Sequence, residues 1–154
     1  MGIEAMFTKG DIINPVAEFQ RRVEEAFVLL LKWLGEKLAA YAKAQHNYTD
    51  RSGNLTNSIG YAITKRSSII YYSGKDQPGE GSKAMLEAAM TFASQLKESY
   101  SLIVVAGMEY AAYVESKGYN VILPAELLAK RIVPTEINKL VSKANKKAKE
   151  LFDL

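Results

Sequence analysis

Ile59-Gly60-Tyr61-Ala62-Ile63-Thr64-Lys65-Arg66-Ser67-Ser68-Ile69-Ile70-Tyr71-Tyr72 is the stretch on which the fold turns. Ile59, Tyr61 and Ile63 alternate with Gly60, Ala62 and Thr64, a period of two that puts successive side chains on opposite faces of a strand. The β-branched and aromatic run Ile69-Ile70-Tyr71-Tyr72 follows after Arg66-Ser67-Ser68, so the stretch predicts a β-hairpin turning at those polar residues.

Upstream the period is helical. Val16, Phe19, Val23, Phe27, Leu30, Leu34, Leu38 and Tyr41 recur every three or four residues, with Arg21, Glu25, Lys32, Glu36 and Lys43 on the other side. Asn14 suits a helix cap and Pro15 the first helical position, which predicts a helix from there to about His46, a rod of roughly 48 Å. Leu29, Leu31 and Trp33 widen its apolar face. Either a broad core face with a bend near Gly35 or packing on a neighbouring subunit accounts for that width.

Downstream, residues 74–81 carry three glycines, a proline and no apolar residue, and are expected to form an exposed, mobile loop. Ser82 can cap a second helix that buries Met85, Ala89, Phe92 and Leu96, with Ala84, Ala88 and Ala93 allowing close packing. The apolar run from Tyr100 to Ala106 reads as a strand covered on both faces and central in the sheet. A short helix should end at Gly118, Asn120 to Leu123 could return as a strand, and Pro124 opens a last helix that Pro134 must kink or restart. The fold class is therefore α+β: a long N-terminal helix and further helices packed on a small, mainly antiparallel sheet. One domain over 1–154 suits the length. Residues 1–13 are a candidate flexible arm and 134–154 a basic amphipathic helix.

Composition narrows function by exclusion. Cysteine is absent and His46 is the one histidine, so a thiolate or histidine zinc site and a serine triad lack their parts. Residues 1–8 have no basic region followed by an apolar stretch, so no secretory signal is expected, and the longest apolar run, Ala26 to Leu31, is too short to span a membrane. Gly74 and Gly79 have the spacing of a phosphate loop, but Glu80-Gly81 stands where Lys-Ser/Thr is required. Glu109 and Glu115 could serve as an acid/base pair, although six residues apart on a helix they point in different directions. The net charge is +3, yet between Lys130 and Lys149 seven Lys/Arg face the single acid Glu136. A nucleic-acid-binding module using Lys139, Lys143, Lys146, Lys147 and Lys149 is one reading of that helix, and a solvated face is the other.

What remains is a set of polar junctions. In Asp50-Arg51-Ser52-Gly53-Asn54-Leu55, Asp50 and Ser52 can accept neighbouring amides, Gly53 supplies backbone freedom, and Leu55 and Ile59 anchor the turn, leaving Arg51 presented on a fixed loop. Arg51, Ser52, Gly53, Leu55, Ser58 and Ile59, then Tyr110, Ala111, Tyr113, Val114 and Glu115, then Pro124 and Ala125 occur in this order. The ordered set resembles the head-to-tail joining, or tail-completion, proteins of tailed bacteriophages, also called minor capsid or neck proteins. That family has a long N-terminal helix, Arg-Ser/Thr-Gly-x-Leu-x-x-Ser-Ile entering a strand, then Tyr-Ala-x-Tyr-Val-Glu, then a helix opened by Pro-Ala. Thr56 and Asn57 stand here where basic residues are frequent, and Ser116-Lys117 separates Glu115 from Gly118.

The resemblance implies a structural, non-enzymatic protein without cofactor. It would assemble with itself into a ring in the virion neck, between connector and tail proteins, with DNA as passing cargo; before assembly it would reside in the host cytoplasm. Arg51, Asn54, Lys75, Asp76 and Glu115 would then be intersubunit or partner contacts, and Gly53, Leu55, Ile59, Tyr110 and Tyr113 the structural motif.

Overall fold

The structure, a computed structural model, describes the backbone of residues 9–77 and 79–153 and the side chains of 14–77 and 79–153. The elements in order are α1 (Lys9–Ala44), α2 (Asn54–Asn57), β1 (Ile59–Lys65), β2 (Ser68–Tyr72), α3 (Glu80–Ala93), β3 (Ser101–Ala106), α4 (Ala111–Ser116) and α5 (Leu123–Phe152). The fold is α+β, with a three-stranded antiparallel sheet of order β2-β1-β3.

The hairpin forms where the period of two predicts it, and β1 is its central member. Residues 59 to 64 are all buried. One face of β1 places Ile59, Tyr61 and Ile63 under Leu31, Leu34 and Leu38 of α1. The other sets Ala62 against Met85, Ala89 and Ala93 of α3. The two faces use different means. On the α1 side the large Tyr61 ring occupies the space left by Gly35, where a Cβ would collide with the ring. On the α3 side Gly60 and Ala62 are small enough for the helix to lie close, and a Cβ at Gly60 would come 2.9 Å from Met85 Cγ. Gly35 is thus a packing residue within a continuous α1.

Several expectations are corrected. The helix does not start at Asn14-Pro15: α1 already includes Lys9, and Pro15 lies inside it, where its missing N–H leaves the carbonyl four residues earlier without its helical bond. Of the arm expected over 1–13, residues 9–13 belong to α1 and 1–8 lie outside the described residues. β3 is an edge strand, because the small and alternating β1 accepts ladders on both sides. The segment around Val121 and Ile122 bends instead of forming a strand, and α5 begins directly at Leu123 with Pro124 in its first turn. α5 continues through Pro134 as one helix. In α3 the buried stripe is Gly81, Met85, Ala89 and Ala93, while Phe92 is exposed, since the close approach of α3 to β1 takes the small side chains inward. Tyr41 of the expected α1 stripe is likewise exposed, and Ala39 and Ala42 take the buried positions.

The hairpin turn is tight. Arg66 and Ser67 both have positive φ, 49° and 71°, as a two-residue turn of this hand requires. Neither is glycine, and the connection after α3 holds them: Arg66 N–H donates to Glu98 O at 3.1 Å and Ser67 Oγ–H to Leu96 O.

α1 and α5 pack antiparallel. Tyr41 and Gln45 lie beside Leu123 and Leu127 at one end, and Phe19 meets Phe152 edge to face at 5.5 Å at the other. Glu24 and Phe27 mark where α1 leaves the sheet: Glu24 accepts from the Tyr100 hydroxyl at 3.0 Å and pairs with Lys65, and Phe27 stacks edgewise on Tyr100. Beyond that latch the described side chains of α1, and those of α5 after Pro134, include none that is fully buried. The two helices therefore extend past the sheet as a paired arm with a half-buried stripe of Phe19, Val23, Ile137, Leu140, Ala144 and Ala148.

Two tests follow from the packing of β1. Gly35→Ala forces a Cβ into the Tyr61 ring and should lower stability by about 2 kcal/mol in denaturant unfolding. Thr64 is fully buried and its hydroxyl has no hydrogen-bond partner among the described residues, so Thr64→Val should raise stability by about 1 kcal/mol and the melting temperature with it.

Candidate functional site

The loop of residues 50–55 closes on itself as its sequence predicts. Asp50 Oδ2 accepts the Thr56 amide at 2.7 Å, and Ser52 Oγ accepts the Asn54 amide at 3.2 Å. Gly53 caps α2 with φ of 77°, and a Cβ added there would come no closer than 3.5 Å to Asn57 Nδ2, so the demand for glycine is one of conformation and not of space. Leu55 and Ile59 are buried, and Ser58, fully buried, donates its hydroxyl to Leu55 O at 2.7 Å. Burial works against ionisation of Asp50, but the amides of Thr56, Leu55 and Gly53 outweigh it and hold its pKa below the usual value. Beneath the loop, Tyr48 is buried and its hydroxyl meets Thr56 Oγ1 at 3.2 Å; burial raises its pKa. His46 is exposed, donates Nδ1–H to Lys43 O and tilts against Tyr48.

The loop of residues 74–81 abuts this one, a meeting that sequence spacing could not reveal. Its last two residues are already helical: α3 starts at Glu80, with Gly79 as cap, not after Ser82. Gly81 is buried, and a Cβ there would stand 2.5 Å from Asn54 O and 2.9 Å from Asn57 Cβ. α3 thus enters against the backbone of α2, and Asn54 Nδ2–H reaches Glu80 Oε2 at 3.4 Å. The Gly74 carbonyl accepts the Gln77 amide, which makes Lys75 and Asp76 the exposed corner of a turn. Arg51 is exposed and has no ion-pair partner among the described residues.

The second motif reaches the same core from the other side. Gly107 N–H donates to Ser58 O, extending the β1–β3 ladder past the strand, and Ala111 at the start of α4 is buried with Tyr48, Leu55 and Ile59. Tyr110 and Tyr113 are not the anchors; both rings are exposed, and Lys117 Nζ stands 5.2 Å from the Tyr113 ring centre. Ala111 and Val114 hold α4 down instead. Glu115 turns inward and its Oε1 accepts the amides of Ile122 at 3.1 Å and Leu123 at 2.6 Å, capping the first turn of α5. Pro124 and Ala125 follow directly, and Ala125 joins the same core cluster. Asn47 Oδ1 accepts the Asn120 amide at 2.6 Å and fastens the end of α1 to this corner.

Sequence reading missed the polar pair behind the loop: the buried Tyr61 donates its hydroxyl to Glu36 Oε1 at 2.9 Å. Burial, then Glu36 and Tyr71, raise the Tyr61 pKa. Among the described residues no group of three His, Asp or Glu could hold a metal ion, and no helix is long and apolar enough to cross a membrane. The lysines of α5 are exposed; Lys139 pairs with Glu136 and Lys147 with Glu150, whereas Lys143, Lys146 and Lys149 have no such partner among the described residues. Comparison with known proteins adds no relative: no family model matches the chain, and no curated protein or solved structure matches it.

Two outcomes test these assignments. Glu115→Ala should cost about 1 kcal/mol by uncapping α5, while Glu115→Gln, which keeps an acceptor oxygen, should retain most of that stability. For Asp50 the folded pKa lies below the ordinary 3.8, so its contribution is full above that value and lost as pH falls through the lower folded one. The stability gap between wild type and Asp50→Ala should therefore be constant near neutral pH and close only in acid.

Proposed function

We propose that this chain is a structural virion-assembly protein that joins the head of a tailed bacteriophage to its tail, acting as a homo-oligomeric ring at the neck or tail top. The observation that carries the reading is the convergence of the three motifs. Leu55 and Ile59, Ala111, and Ala125, far apart in the chain, share one core cluster, and Glu115 ties the second motif to the third. Such a junction is a rigid mount: its apolar members face inward, and Arg51, Lys75, Asp76, Tyr110 and Tyr113 are left exposed around it.

Because Asp50, Ser52 and Gly53 brace the loop backbone, ordering Arg51 on binding costs side-chain freedom alone, which favours a specific contact with a carboxylate or with backbone carbonyls of a neighbour. The chemistry is recognition, not turnover. On this reading the protein needs no cofactor, its partners are further copies of itself and the connector and tail proteins, and DNA passes without being read. Asn54 and Glu115, already engaged within the chain, act as braces behind the contact residues.

The exposed lysines of α5 favour a second reading, a nucleic-acid-binding helix. Non-specific phosphate contacts weaken steeply as salt rises, so a chain that fails to shift DNA or RNA even at low salt removes that reading.

The assembly reading predicts that Arg51→Ala keeps the wild-type melting temperature and circular dichroism but loses head–tail joining in a complementation assay. Normal joining by that variant would overturn the role of Arg51.

A further inference from the structure

β3 is a bare edge. Gly107 N–H donates to Ser58 O, and the register Gly60↔Val105, Ala62↔Ile103, Thr64↔Ser101 continues the same set of pairs, so these residues face β1 with their backbone groups. The intervening Leu102, Val104 and Ala106 therefore direct their N–H and C=O groups away from the sheet. Among the described residues nothing bonds to them. The side chains of the same residues lie on the α1 face, where Leu102 and Val104 border a mainly apolar groove of about 540 Å³ whose far side is formed by Ile122, Ala129 and Val133, with the exposed Glu126 and Lys130 at its rim. An open ladder and an apolar trough run along one line.

We propose that this edge is a self-association surface: a second copy of the chain adds its own β3 antiparallel to the first, making a continuous six-stranded sheet. The choice of occupant follows from three features. First, monomeric proteins blunt their edges with charge, proline or bulges, and β3, Ser-Leu-Ile-Val-Val-Ala, has none of these in six residues of regular register. Second, the opposite edge is blunted. In β2, Ile70 is an extra residue between the pairs Ile63↔Tyr71 and Thr64↔Ile69, a bulge that interrupts the strand, whereas β3 is regular along its length, so the edge fit for pairing is that of β3 and the match is β3 to β3. Third, β3 complements itself. A two-fold axis normal to the sheet keeps both strands' faces in common. Pairing Val104 with its symmetry mate sets Leu102 opposite Ala106 of the second copy, joins the outward amides and carbonyls, and brings each copy's Leu102 and Val104 to the other's groove. The pairing is independent of the head-to-tail reading, since it needs neither Arg51 nor a phage partner.

The test uses the full chain. Sedimentation velocity over rising concentration should show twice the 17.1 kDa monomer mass, and amide exchange at Leu102, Val104 and Ala106 should slow by about tenfold or more in the dimer. Val104→Pro removes an outward N–H and leaves the β1 ladder intact, so it should remain folded and monomeric. Leu102→Lys, which puts a charge at the mouth of the groove, gives the same answer if the proline variant fails to fold. A wild type that stays monomeric at about 100 μM, a dimer whose three amides exchange freely, or a dimer that survives in the folded variants would each overturn the proposal.

Discussion

The whole structure depends on β1 being covered on both faces at once. A central strand in a three-stranded sheet has little width to share, so each helix must sit directly over it. On one side the contact is made by a large ring in a glycine gap, Tyr61 against Gly35; on the other by the near absence of side chains, Gly60 and Ala62 against Met85 and Ala89. A void on either face would forfeit contacts that no other residue is placed to replace. On the same strand the fully buried Thr64 keeps a hydroxyl with no hydrogen-bond partner among the described residues.

From β1 the candidate site inherits its rigidity. Ser58 and Ile59 lead straight from α2 into the strand, so the residues that shape the Arg51 loop are continuous with the best-packed segment of the chain. α3, held on the opposite face, brings Gly81 against Asn54 O and so fixes the second loop by the first. α4 and the start of α5 complete the corner through Ala111 and the Glu115 cap. A polar surface on so constrained a base can be specific with few residues, because the backbone ordering cost has been met in folding.

The paired arm of α1 and α5 has the opposite character. Its stripe is half buried, its charges are solvated in pairs such as Arg21 with Glu18 and Glu25, and it is joined to the sheet at the latch of Glu24 and Phe27 with Lys65 and Tyr100. Exposed ion pairs of this kind contribute little to stability. Local opening of the arm should therefore come before global unfolding, since stability in the chain is concentrated around β1.

The sequence by itself determined the hairpin, the long helices and the internal logic of the loop. Periods of two and of three to four are consequences of backbone geometry and survive any tertiary context, so the hairpin and both long helices are legible in Ile59 to Tyr72, in the stripe through Leu34 and Leu38, and in that through Val133 and Ile137. The amide acceptors Asp50 and Ser52 and the left-handed Gly53 were legible for the same reason: they act within a few residues of themselves. Tertiary structure alone decided the rest. Which strand is central depends on which has two willing neighbours, and Ser101 to Ala106, apolar enough for the middle, is left at the edge because β1 already has its second ladder there. The inward turn of Glu115, the outward rings of Tyr110 and Tyr113, and the meeting of Gly81 with Asn54 depend on elements distant in the chain. Periodicity says which side of an element is apolar; only packing says what lies against it.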